Sequence, residues 1–179
     1  MAVTVSNYKV EPVNIKWGTT DLGAINGDVT VAIAHDEQDV VAHQYGTNVL
    51  DSIITGIKVE NLTVVMNEVD YTKLKTIVSV LGDTFTPALG TEVFGYGTGP
   101  TFTSKLESCL ALNLHPQVLI STDYSRDITF WKAYPTLKEI LKSGENVSTH
   151  TVEFKFYPDL AKDKTSQYCV FGDATQAGF

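Results

Sequence analysis

Cysteine is scarce: Cys109 and Cys169 are the only two in 179 residues, too few for a disulfide scaffold. They read as free thiols of a reducing cytoplasm, where the sequons at Asn61 and Asn146 meet no glycosylation machinery. Positive charge is also short, with 13 Lys+Arg against 21 Asp+Glu and a formal net charge of −8. That balance excludes the basic footprint of a nucleic-acid binder. It leaves room for a protein that nucleic acid passes without sticking. No apolar run approaches the ~18 residues of a membrane helix. Residues 1–12 lack the basic stretch followed by an apolar stretch that marks a secretory signal.

Catalytic signatures are missing as well. There is no G-x-S-x-G elbow, and neither cysteine sits in a nucleophile motif. Gly95-Tyr96-Gly97-Thr98-Gly99 lacks the GK[ST] ending of a phosphate loop, and Pro100 stands where a helix would begin. The densest polar cluster, His35-Asp36-Glu37-Gln38-Asp39 with His43, fits no zinc-ligand spacing and reads as a solvated segment. His115 and His150 have no cysteine or carboxylate at ligand spacing and read as structural or surface histidines. No catalytic residue, metal ligand or cofactor site is expected, and the chain does not read as an enzyme.

What is present is strand-forming sequence. Hydrophobic content is 43% and charged content 19%, as in an ordinary globular domain, with many valines and threonines. After an arm over residues 1–12, Val13–Trp17 alternates as a strand, and Asn26-Gly27 is the strongest turn signal. Val29–Ala34 and Ile57–Met66 read as strands. The second changes phase, with Ile57 and Val59 on one face and Leu62, Val64 and Met66 on the other, as expected of a bend or bulge. Tyr71, Leu74, Ile77, Val78 and Leu81 form the one-sided stripe of a helix over about 70–81. Residues 83–104 are irregular. Strands resume at Lys105–Leu114, Ile128–Tyr134, Thr149–Tyr157 and Tyr168–Phe171. Trp17 and Trp131 are expected as core anchors. The sum is one mainly β (α+β) domain over 1–179, a β-sandwich or partial barrel with one flanking α-helix.

Between the strands at 29–34 and 57–66 lies a segment, 35–56, far longer than an ordinary connection. It mixes Asp36, Glu37, Asp39 and Asp51 with Val40, Val41, Val49, Leu50, Ile53 and Ile54, which is too apolar for a solvated linker. It is expected as a long loop that docks on another copy of the chain.

The order of several short motifs resembles the major tail tube proteins of long-tailed bacteriophages, from about Trp17 to Asp173. The resemblance is carried by Leu22-Gly23 to Gly27-Asp28-Val29, and by Asp39-Val40 through Gln44-Tyr45-Gly46 to Val49, Asp51, Ile53 and Thr55-Gly56. Val59 to Leu81, Leu112 to Pro116, Lys132 to Pro135, Phe154 to Asp159 and Phe171 to Asp173 complete it. The resemblance implies a structural virion protein. Its copies form stacked rings, usually six-fold, and the stack is the tube through which viral DNA passes into the host. It implies an inter-ring loop carrying Asp39, Val40, Gln44, Tyr45, Gly46, Val49, Asp51 and Ile53. It also implies a helix packed outside the tube and lumen-facing strand acids, of which Glu60 and Glu153 are the candidates. Acidic walls repel phosphates over a Debye length of ~8–10 Å. The implied partners are other copies of the chain, the tail tip or baseplate, the tape measure and the terminator, in a tail assembled in the host cytoplasm without membrane contact. The alternatives are a ring protein of a tail-tip or completion complex or related injection machine, and a monomeric β-sandwich ligand-binding module.

Overall fold

The computed structural model describes residues 12–41, 49–67, 73, 76–77, 84–85, 93–94, 104–143 and 148–175. Its body is one antiparallel eight-stranded sheet, curled into a half-barrel. The strands are β1 (Val13–Trp17), β2 (Thr20–Asp21), β3 (Ile25–Asn26), β6 (Leu62–Met66), β9 (Leu110–Pro116), β10 (Ile128–Ser143), β11 (Ser148–Tyr157) and β12 (Cys169–Phe171). They lie in the order β2-β1-β9-β10-β11-β6-β3, with β12 also beside β10. A separate two-stranded ribbon is made by β4 (Ile33–Val41) and β5 (Val49–Val59). A second small pair is β7 (Thr84–Phe85) with β8 (Val93–Phe94), inside the stretch expected to be irregular.

Alternation builds the core from one face of the sheet. On β11, Val152, Phe154 and Phe156 are buried as expected. Their cross-strand partners are Leu137, Pro135 and Ala133 on β10, and Val64 and Leu62 face Val152 and Phe154 from β6. Ile15, Trp17, Leu112 and Phe130 complete the layer. Trp17 is fully buried and donates its indole N–H to the Ala133 carbonyl at 2.9 Å, so its one polar atom is satisfied. Phe130 stacks on Phe156 with ring centroids 4.3 Å apart. Pro135 can sit inside a long strand because β9 pairs β10 only as far as Ala133; beyond it that edge lacks a β9 partner.

Several sequence expectations change. The strand expected at 29–34 begins only at Ile33; Val29 and Val31 pack against the core from an irregular connection. Residues 105–108 form a turn, and the strand starts at Leu110. The strand expected to end at Tyr134 runs to Ser143, held by its pairing with β11 through two register shifts. Of the expected helix, Lys73, Thr76 and Ile77 are described and helical, with Ile77 fully buried in the core. Tyr71, Leu74, Val78 and Leu81 lie outside the described residues, as do most of 83–104 and the arm before Pro12.

The largest correction concerns 35–56. Its described residues, 35–41 and 49–56, belong to the two strands of an antiparallel ribbon paired from Ile33↔Val59 to Val41↔Val49. Its strand character was hidden because two bulges break the alternation. The phase change in 57–66 has a different origin: the chain leaves the ribbon at Val59 and joins the main sheet at Leu62, with Glu60 and Asn61 as the break.

Candidate functional site

The ribbon is the most exposed ordered element. Every residue from His35 to Val40 and from Asp51 to Thr55 is exposed, and no other described strand pairs with either of its edges. Its register assigns its faces. Ile33, His35, Glu37 and Asp39 share a face with Val59, Ile57, Ile54 and Ser52; Asp36, Gln38 and Val40 share the other with Gly56, Ile53 and Asp51. The extra residue is Thr55, whose hydroxyl donates to the Asp36 carbonyl at 3.0 Å and pins the bulge. Ile53 and Ile54, adjacent on a pleated strand, point to opposite faces, so both faces carry apolar side chains; the bulge decides that Ile54, not Ile53, shares the face of Ile57. Ile53 is 54% exposed and Ile57 55%. Farther along, the Ser52 hydroxyl donates to Asp39 Oδ1 at 2.7 Å.

The expected contact residues are therefore distributed along one ribbon. Asp39, Val40, Asp51 and Ile53 are exposed on its described part. Val49 opens β5. Gln44, Tyr45 and Gly46 lie outside the described residues, with His43.

At its base the ribbon meets the segment that leads into β12. Ile33, Ile57, Val59, Tyr168, Cys169 and Phe171 line a cleft of about 360 Å³, together with Lys164 to Gln167. Among the described residues, Lys164 is the one charged lining residue. Phe171 is 68% exposed at the mouth. Burial pushes the Cys169 thiol above its ordinary value. The cleft has a rigid wall because the stretch from Asp159 to Gln167 closes on itself. The Asp159 N–H donates to the Gln167 carbonyl at 2.8 Å, and the Trp131 indole N–H donates to the Ser166 carbonyl at 2.7 Å. Lys162 Nζ sits 4.1 Å over the Trp131 ring. Trp131 is thus half-buried and clamps this loop, whereas Trp17 is the core anchor.

The two candidate lumen acids do not share an element. Glu153 lies on the β11 face opposite the core, 3.0 Å from Lys138 Nζ. Glu60 is half-exposed in the break between β5 and β6, at 4.0 Å from Lys58. The outer face of the sheet is therefore one of paired charges, with Lys132 and Asp159 a second pair at 3.4 Å. Between Asp36 and Gly56 the chain has four acids and no lysine or arginine. The ribbon, not the sheet, concentrates negative charge.

One buried polar group escaped the sequence. His115 Nδ1 is 2.7 Å from Asp127 Oδ1, and Asn113 Nδ2–H donates to Asp127 Oδ2 at 2.9 Å. Asp127 is 3% exposed and His115 8%. The two are 12 apart in sequence and meet only because β9 and β10 pair across a turn; no spacing motif announces that. Among the described residues no group of three or more His, Cys, Asp or Glu is arranged to hold a metal ion, and no helix is long and apolar enough to cross a membrane. A scan against protein-family models finds no match for the chain, and a search of curated proteins finds no relative.

Proposed function

We propose that this protein is a structural, self-assembling subunit whose copies build rings or a tube, of the kind the tail tube resemblance implies, with a lumen for passing DNA. The observation that carries the proposal is the ribbon. An isolated two-stranded ribbon is marginal in water, and this one exposes isoleucines on both faces. Burying such side chains on a neighbour yields on the order of 1 kcal/mol each when half of the side chain is already covered.

The sheet edges support the same reading. β2 and β3 cap the two edges with two residues each, so Val13–Asn14 and Leu62–Val64 have no outer strand partner among the described residues. Open edges of this kind pair with other chains, and a head-to-tail contact repeated around an axis closes such edges into a ring. The outer face of the sheet, with Lys138–Glu153 and Lys132–Asp159 paired, is the wall that would meet DNA in transit. Neutralised lysines there limit phosphate capture by counterion release.

The test is negative-stain electron microscopy of concentrated protein with light scattering alongside. Rings or striated tubes are expected. Replacing residues 39–51 by a short Gly/Ser linker is expected to abolish stacking and leave the fold; normal tubes from that variant would remove the ribbon from the mechanism. Rings that never polymerise would favour the tail-tip or completion role.

A further inference from the structure

Resting on the self-assembly reading, we infer that the cleft at the ribbon base is the seat for the distal ribbon of a second copy, in a polar head-to-tail contact. The two surfaces are complementary in chemistry. The seat is apolar, with Ile33, Ile57 and Phe171 exposed around it and Lys164 its one charged lining residue. The distal ribbon presents Val40 and Ile53 on one face, with Gln38 and Asp51 as their cross-strand partners. Its distal part carries Asp39 and Asp51, and no lysine or arginine occurs between Asp36 and Gly56. Two distal ribbons meeting each other would bring like charges together. Two clefts meeting would leave each Lys164 beside another. Only distal ribbon against cleft pairs opposite charges, and electrostatics of this kind fixes orientation more than affinity. Because seat and occupant sit at the two ends of one ribbon, each copy that is seated offers a free distal ribbon or a free cleft to the next. The contact is heterologous and propagates along the ribbon direction.

Cys169 in the cleft supplies a reporter. The assay uses the full chain with Cys109→Ser, so that Cys169 is the only native thiol, plus Ile53→Cys. Oxidation is run at pH 8.5, because burial holds the Cys169 thiol up. A bond closed within one chain would run as a compact monomer and one between chains as a multimer, so the gel separates the two. The expected product is a ladder of dimers, trimers and longer multimers on a non-reducing gel. It should collapse to dimers at most when Cys169→Ser is added. An assembled sample, judged by light scattering, that yields only dimers or no cross-link with Cys169 present would overturn the docking and leave self-assembly standing. A chain that scatters as a monomer at every concentration would overturn both. Independently, Lys164→Glu is expected to raise the concentration needed for assembly about three- to five-fold, and Asp51→Lys in the same chain to restore it. Unchanged assembly by Lys164→Glu would refute the stated polarity.

Discussion

At the scale of single residues, the stable body depends on a few groups whose neighbours leave no slack. Gly18 has φ +58°, and a Cβ there would lie 2.8 Å from Leu110 Cδ1. Gly18→Ala therefore carries left-handed backbone strain, while the exposed Leu110 methyl can swing aside, and is expected to cost about 1–2 kcal/mol, read as a lowered urea midpoint with an unchanged slope. Asp127 accepts from both His115 and Asn113 in a buried site. Asp127→Ala strands the His115 Nδ1–H and leaves Asn113 Nδ2 with Thr129 Oγ1 alone at 3.0 Å, and is expected to cost about 1–3 kcal/mol, whereas Asn113→Ala removes one donor and should cost less. The Thr165 backbone N–H and hydroxyl hold the exposed Asp163 carboxylate below its usual range. A folded value below the unfolded one means a contribution present above the unfolded carboxylate range and lost as pH falls through the folded value. Amide protection in the 159–167 loop, taken relative to the intrinsic exchange rate at each pH, is thus expected to fall in acid, and Asp163→Asn should show the low protection already at neutral pH. If the two proteins exchange alike at every pH, the Asp163 turn does not hold the loop.

At the scale of elements, core strands and ribbon should respond oppositely to truncation. Phe154 is fully buried, 6.4 Å from the Trp17 ring centroid, and Phe154→Ala should cost about 3–5 kcal/mol. Ile53→Ala removes a side chain that touches little of its own chain and should change monomer stability by no more than ~0.5 kcal/mol while weakening assembly. Equal losses by thermal unfolding of the dilute monomer would mean the ribbon packs on the body. The same contrast explains what the sequence disclosed. Val152, Phe154 and Phe156 alternate because one face of β11 is core and the other is not, and Val13–Trp17 follows that rule. Both were legible. The ribbon was not, because Thr55 and the second shift near Leu50 break the period of two, and because its apolar residues answer to no core in the same chain. Its unusual composition still showed, since acids interleaved with isoleucines fit neither linker nor core. The cleft was invisible beforehand: it joins Ile33 and Ile57 to Cys169 and Phe171, more than a hundred positions later. β10 shows the opposite failure, since Lys138–Ser143 is a strand through its pairing with β11 and not through its own alternation.

At the scale of the whole molecule, two electrostatic effects oppose each other, and their ranges decide which one salt exposes. Each copy carries a formal net charge of −8, so copies repel at distances set by the Debye length, ~30 Å at 0.01 M and ~8 Å at 0.15 M. The Lys164 contact with an acidic ribbon acts only once the surfaces touch, and an exposed pair of that kind contributes ~0–1 kcal/mol. The apolar part of the contact is not screened and is strengthened by excluded salts such as sulfate. Adding salt therefore removes the long-range repulsion of two whole molecules at the cost of one short-range pair. The critical concentration for assembly is expected to fall from 10 mM to 150 mM salt and to fall further in sulfate than in chloride at equal ionic strength. Light scattering across a protein dilution series at each salt reads it directly. Assembly that dissolves as salt rises would show ion pairs to be the main attraction, and the isoleucine-lined cleft would then not be the seat. The Lys164→Glu chain sharpens the comparison: with repulsion screened, salt should recover part of its assembly if its defect is electrostatic, and none if the substitution has reshaped the cleft.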